Sequence, residues 1–348
     1  MSESRSEQTD LTLPSWKEVL SAPPPRPVPV EERTRPVPEV RDRLLPHLVW
    51  EMLLALVATG LVLATLAAAP PQFLTSMFGS AAVVGLLAMG LSLSLRTATP
   101  NLAVGVIAAV VGGLTASLMR DGWPDGAAIA AGIGAALAVG VLLGLLTMVL
   151  SAPAWALSLG AVAALSAAYA ALAGPSPIPV RLDAYPALPA FVVFAALSMI
   201  GGALWLVPGV RNALSGSRRG GDPGRWAGLK AGLGALVGFA GSSLLAGLAG
   251  IAGLMRVQAA TPPTELVPVT ALAAVLIGGV SVFGRRAGVF GTLLGVVIMV
   301  SAQTLIVLKG MPSWAGQLFA GGMLLLGLLV SRLVEGLTDL LNGNRTSD

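Results

Sequence analysis

Between residues 126 and 180 the chain carries no aspartate, glutamate, lysine, arginine or histidine. That one stretch excludes an ordinary soluble domain, in which roughly a quarter of the residues are charged. In lipid every backbone N–H and C=O must pair within the chain, so an apolar run of this kind reads as helix. It exceeds the ~20 residues of one crossing, and Ser151, Ala152 and Pro153 supply the tight break that divides it into two helices. The rest of the chain repeats the pattern. Of 348 residues 55% are apolar and 11% charged, and ten apolar segments follow one another at 52–69, 77–95, 102–119, 127–150, 154–172, 188–207, 231–254, 267–282, 287–308 and 316–334. The eighth is short. The 43 glycines suit helices that approach closely inside a bilayer.

Around these spans the composition changes. Residues 1–47 are polar and proline-rich, which predicts a disordered cytoplasmic tail; the spacing of Pro24 and Pro27 also fits a PxxP ligand. A cleavable signal peptide ending at Ala67, Ala68 and Ala69 has the right small residues but a polar leader far too long, so the first helix is read as uncleaved. Residues 48–336 form the membrane domain and 337–348 a cytoplasmic C-terminal tail. Lys and Arg concentrate in alternate loops, among them Arg96, Arg211, Arg225, Lys230 and Arg285, whereas only Arg120, Arg181, Arg256 and Lys309 fall on the other side. The positive-inside rule then puts both termini in the cytoplasm of a cell-membrane protein.

Chemistry is narrowed by absences. No cysteine is present and His47 is the one histidine, so thiol nucleophiles, disulfides and histidine metal clusters are excluded. The ten segments hold no acid, base or histidine away from their ends, which removes the carriers a proton-coupled pump needs and the paired acids of a membrane enzyme. No metal or cofactor is expected on this chain. A GxxxxGK[ST] phosphate loop is absent too, so ATP could power this chain only through a separate subunit. The one sizeable cytoplasmic loop, 209–230, is the natural contact for such a motor. Asp222 and Pro223 have the order of an N-cap and first helical position, starting a short helix through Gly224, Arg225, Trp226 and Leu229. A solvated basic loop with Trp226 at the interface is the plainer alternative.

Several stretches resemble one family. Residues 271–294, ALAAVLIGGVSVFGRRAGVFGTLL, residues 241–255, GSSLLAGLAGIAGLM, and residues 84–95, VGLLAMGLSLSL, are similar to the permease subunits of ribose- and xylose-type ABC importers, related to branched-chain amino-acid permeases. The loop GGDPGRWAGL from Gly220 resembles that family's coupling segment, with Asp222 in place of its asparagine and its paired alanines absent. Residues 97–105 replace the family's GG-[IV]-DLS-[VL]-G run without its acidic residue.

The resemblance implies an all-α polytopic membrane protein of about ten transmembrane helices with broken helices, the type II ABC importer architecture. It also implies ABC ATPase partners that use the ATP, an extracytoplasmic solute-binding protein, and a second permease, identical or related. The cargo would be a small polar solute, a monosaccharide first, with nucleosides or branched-chain amino acids as alternatives. A sodium-coupled secondary transporter and a membrane anchor remain open. The solute path is placed at the interruptions in the two halves, on Thr99, Pro100, Asn101 and Gly105 in the first, and on Gly278, Gly279 and Ser281 in the second, with Gln303 nearby. Close helix packing is the competing account of the two glycines, and interhelical hydrogen bonding that of Asn101 and Gln303.

Overall fold

The computed structural model describes residues 44–150, 152–214, 229–281 and 289–343. The proposed coupling residues Asp222, Pro223, Gly224, Arg225 and Trp226 lie outside them, as does the tail 1–43.

Each of the ten apolar segments lies on a helix. In chain order these are α1 (Leu44–Ala68), α2 (Pro71–Arg96), α3 (Val104–Arg120), α4 (Asp125–Leu150), α5 (Ala154–Ala173), α6 (Ala187–Leu206), the short α7 (Pro208–Leu214), α8 (Leu229–Val257), α9 (Leu266–Ile277), α10 (Gly291–Leu308) and α11 (Ser313–Gly343). Among the described residues eight helices are long and apolar enough to cross a membrane, while α3 and α9 are shorter. Proline opens several of them, where a missing N–H costs nothing: Pro71 starts α2, and Pro153 and Pro186 precede α5 and α6.

Four helices close at their C-terminal ends by a common device. At the ends of α3, α9 and α10 a glycine with positive φ, Gly122, Gly279 and Gly310, sends its N–H and that of the next residue back to the last turn, the Schellman arrangement. The end of α2 has the same two hydrogen bonds, Ala98 N to Leu95 O and Thr99 N to Ser94 O, but the residue at φ 58° is alanine.

Helix α8 runs through the middle of one half of the bundle, packed along α4, α2 and α3; α9 packs on α10, α11 and α2, and α10 lies along α1. Small residues make the α8 contacts close. A Cβ on Gly140 of α4 would lie 2.6 Å from the carbonyl oxygen of Phe239, and one on Gly250 of α8 would strike the carbonyl of Ala108. The interior is filled by Leu87, Ile107, Phe194, Phe239 and Met299. Leucines and valines such as Leu56, Val149, Leu197 and Leu325 face outward, as expected where the surroundings are lipid or another chain rather than water.

Three boundaries differ from the sequence expectation, and one element was not expected. Helix α1 starts at Leu44, within the proposed 1–47 tail, so Glu51 lies inside it. Helix α11 continues to Gly343, taking in part of the proposed 337–348 tail. Helix α9 stops at Ile277 because Gly278 and Gly279 turn the chain. A two-residue antiparallel ribbon, β1 (Ile178–Pro179) with β2 (Ala259–Ala260), ties the connection after α5 to that after α8. It is too short to be legible as alternation.

Candidate functional site

The break between α2 and α3 is the most polar part of the interior. Arg96 ends α2 and Val104 starts α3, and Thr97, Thr99, Asn101 and Ala103 between them have no exposed surface. Its depth can be read from α8, which it crosses. Asn101 bonds to Ser242, thirteen residues after Leu229 and fifteen before Val257, roughly 20 Å from either end at 1.5 Å per residue. Non-helical backbone at that depth persists only where protein covers it or a cavity takes it up.

Its polar groups satisfy one another. The Asn101 side-chain NH2 donates to Ser242 Oγ at 2.9 Å and to Ser243 Oγ at 3.3 Å, while Asn101 Oδ1 accepts from the Ala103 N–H at 3.1 Å. Asn101 N donates to Ser94 Oγ at 3.3 Å. Thr97 and Thr99 hydroxyls lie 2.8 Å apart, and Thr97 Oγ1 donates toward Leu93 and Ser94 carbonyls. From α5, Ser158 Oγ reaches the carbonyl of Pro100 at 3.2 Å. Gly238 of α8 is required here, because a Cβ would strike both threonine hydroxyls.

Beyond the break lies a cavity of about 190 Å3 bordered by α2, α3, α8 and the 259–264 connection. Gly105 lines it, and a Cβ there would lie 2.8 Å from the Pro268 ring at the start of α9. Arg256 is the one charged side chain on its wall. Beside it, burial raises the Tyr185 phenol above its ordinary pKa, and the Arg256 charge offsets part of that rise.

The structure therefore places Thr99, Pro100 and Asn101 in the polar break and Gly105, on α3, at the wall of the neighbouring cavity. It places the other candidates elsewhere. Gly278 packs directly on Gly291, whose Cβ would strike the Gly278 carbonyl, and Gly279 turns the chain at φ 83°. Ser281 is buried just after them. This second break is held by α1: Trp50 Nε1 donates to the Ile277 carbonyl at 2.8 Å, and Glu51 Oε1 accepts from the N–H groups of Phe290 and Gly291 at 2.8 and 3.1 Å. Gln303 lies near the other end of α9, donating from Nε2 to Thr270 Oγ1 at 2.8 Å. Leu229 is the first residue of α8.

Sequence reasoning missed Ser94, Ser242 and Ser243 as partners of Asn101, and Trp50 and Glu51 as partners of the second break. Two consecutive serines in the middle of an apolar helix were the available signal for the first group. Glu51 stood one residue outside the apolar segment and carried none. No protein-family model, no curated protein and no solved structure matches this chain.

Proposed function

We propose that this chain is the membrane-spanning permease subunit of an ATP-driven importer for a small polar solute, with monosaccharides the leading class. The observation that carries the reading is the buried, hydroxyl- and amide-lined break at mid-length of α8, with a cavity on the Gly105 side of it. An interrupted helix lined by uncharged donors and acceptors suits a solute that carries many hydroxyls and no charge. In this state Asn101, Ser242 and Ser243 pair with one another, as polar groups at membrane depth must. As the bundles rock, the hydroxyls of the solute take over those hydrogen bonds and lose them again on the far side. The ATPase is a separate chain that engages the 209–230 loop, and a solute-binding protein delivers cargo at the opposite face.

Copurification from native membranes tests this reading. An ATPase should be retained, Trp226→Asp should reduce its association by about 2 kcal/mol or more, and uptake into proteoliposomes should require ATP. Uptake without nucleotide and without a bound ATPase would reject it. One observation favours a second reading. The oxygens of Thr97, Thr99 and the Leu93 and Ser94 carbonyls converge at the C-terminal end of α2, the kind of group that holds sodium in secondary transporters. Uptake driven by a sodium gradient alone would establish it.

A further inference from the structure

A second cavity, also about 190 Å3, lies where α6 ends and α10 begins, bordered by the last turns of α2, by α6, by α7 and by the first turn of α10. It is well above the ~15 Å3 that admits one water, and none of Thr99, Pro100, Asn101 and Gly105 lines it. Its lining residues include one cation, Arg96, and Ser198 and Thr292, whose hydroxyls have no partner among the described residues. Arg96, 6% exposed, donates from Nη1 to the Gly201 carbonyl at 3.2 Å and stacks its guanidinium 5.7 Å from the Trp205 ring centre. Ser198 on α6 and Thr292 on α10 line the same space, 6% and 4% exposed, and neither hydroxyl has a hydrogen-bond partner among the described residues. A buried orphan hydroxyl costs stability, and two of them beside a guanidinium describe a place for an acceptor carrying negative charge.

We propose that this cavity binds a phosphate group, carried by an anionic membrane lipid. Guanidinium recognises phosphate through several N–H donors in a planar fork, and the two hydroxyls add donors from the α6 and α10 sides. The amides of Phe290 and Gly291 are taken by Glu51, so the site depends on side chains rather than on the α10 helix end. The lipid is favoured over a free ion by the remaining wall. Leu197 and Leu204 line the cavity and are 40% and 51% exposed on the outer face of α6, which gives acyl chains an apolar track running from the headgroup. Basic pockets between transmembrane helices bind headgroups in this way. Val210 and Leu214 of α7 complete the wall, so an occupied cavity would brace the short helix that leads into the 215–228 segment.

The test uses the full chain purified in neutral detergent. Phosphatidylglycerol should raise the thermal unfolding midpoint, diacylglycerol should not, and native mass spectrometry should show a retained phosphatidylglycerol. In Ser198→Ala/Thr292→Val, the midpoint without lipid should stay level or rise, because the hydroxyls removed had no partner, while half-maximal stabilisation should need about tenfold more lipid. The single variant Ser198→Ala should show a smaller shift in the same direction. Equal stabilisation by inorganic phosphate would overturn the lipid as carrier. No shift with either ligand, or a shift undiminished in both variants, would overturn the site.

Discussion

Asn101 shows how a side chain chosen for its chemistry in sequence acquires a second role in the fold. An amide in an apolar segment needs partners, and Ser242, Ser243 and the Ala103 N–H supply them within 3.3 Å. Asn101→Leu would therefore leave two serine hydroxyls and a backbone N–H without their partner, and it should lower stability in detergent by about 2 kcal/mol as well as abolish uptake. A normal unfolding midpoint with lost uptake would instead assign the amide to the solute alone. Glu51 is a parallel case. A buried carboxylate is costly unless hydrogen-bonded, and it is tolerated because two amides at the start of α10, the positive end of that helix, converge on it. Ala98 carries the opposite sign: in a left-handed conformation where the matching ends of α3, α9 and α10 have glycine, it holds strain of about 1 kcal/mol at the edge of the candidate site.

At the level of elements, the bundle is set by where helices can touch backbone to backbone. Gly140 and Gly144, Gly90, and Gly250 bring α4, α2 and α3 onto α8 at distances that a Cβ would forbid, and Gly238 does the same for the break; that closeness places Asn101 within reach of Ser242. Gly140→Leu should push α4 from α8 and cost about 3 kcal/mol. Gly134→Leu, on the same helix with nothing within 4 Å, should leave the unfolding midpoint unchanged. Equal effects at the two positions would mean that helix propensity and not packing decides. The two breaks share the same closure but have different supports. The first is held by α8 and α5, the second by Trp50 and Glu51 of α1. Helix α1 is thus a strut for the second break rather than a bystander at the start of the membrane domain.

For the whole molecule, the outward faces of α5, α6 and α11 are apolar, with Trp155, Leu188 and Leu325 among their exposed side chains. Lipid and a second subunit can both cover such faces. On the importer reading proposed above, two copies of this chain per ATPase dimer is the expected composition, because one chain offers one long loop, 209–230, to a motor with two grooves. Intact-complex mass should show two copies of this chain, or one with a related permease, and a single copy on an ATPase dimer would refute it.

Much of this was legible in the chain before folding. Ten apolar segments with no charge away from their ends, cut by proline and glycine, determine a helical membrane protein, because hydrocarbon admits only helices and closed barrels and continuous apolar runs of this length fit helices rather than the alternating strands of a barrel. Pro100 and the Gly278 and Gly279 pair marked both breaks, since glycine and proline punctuate helices wherever they occur. Which groups meet across them was not legible. Ser242 lies 141 residues from Asn101, and Glu51 lies 239 from Phe290; no local pattern encodes those pairs. They arise only when glycine contacts fix how far each helix slides along its neighbour. The same holds for Arg96, which reads as a loop charge in sequence and becomes buried when α6 lays Trp205 and Gly201 over it. Periodicity and composition determine that a segment crosses the bilayer, whereas the register between segments comes from packing, a property of pairs of helices that a single chain segment does not carry.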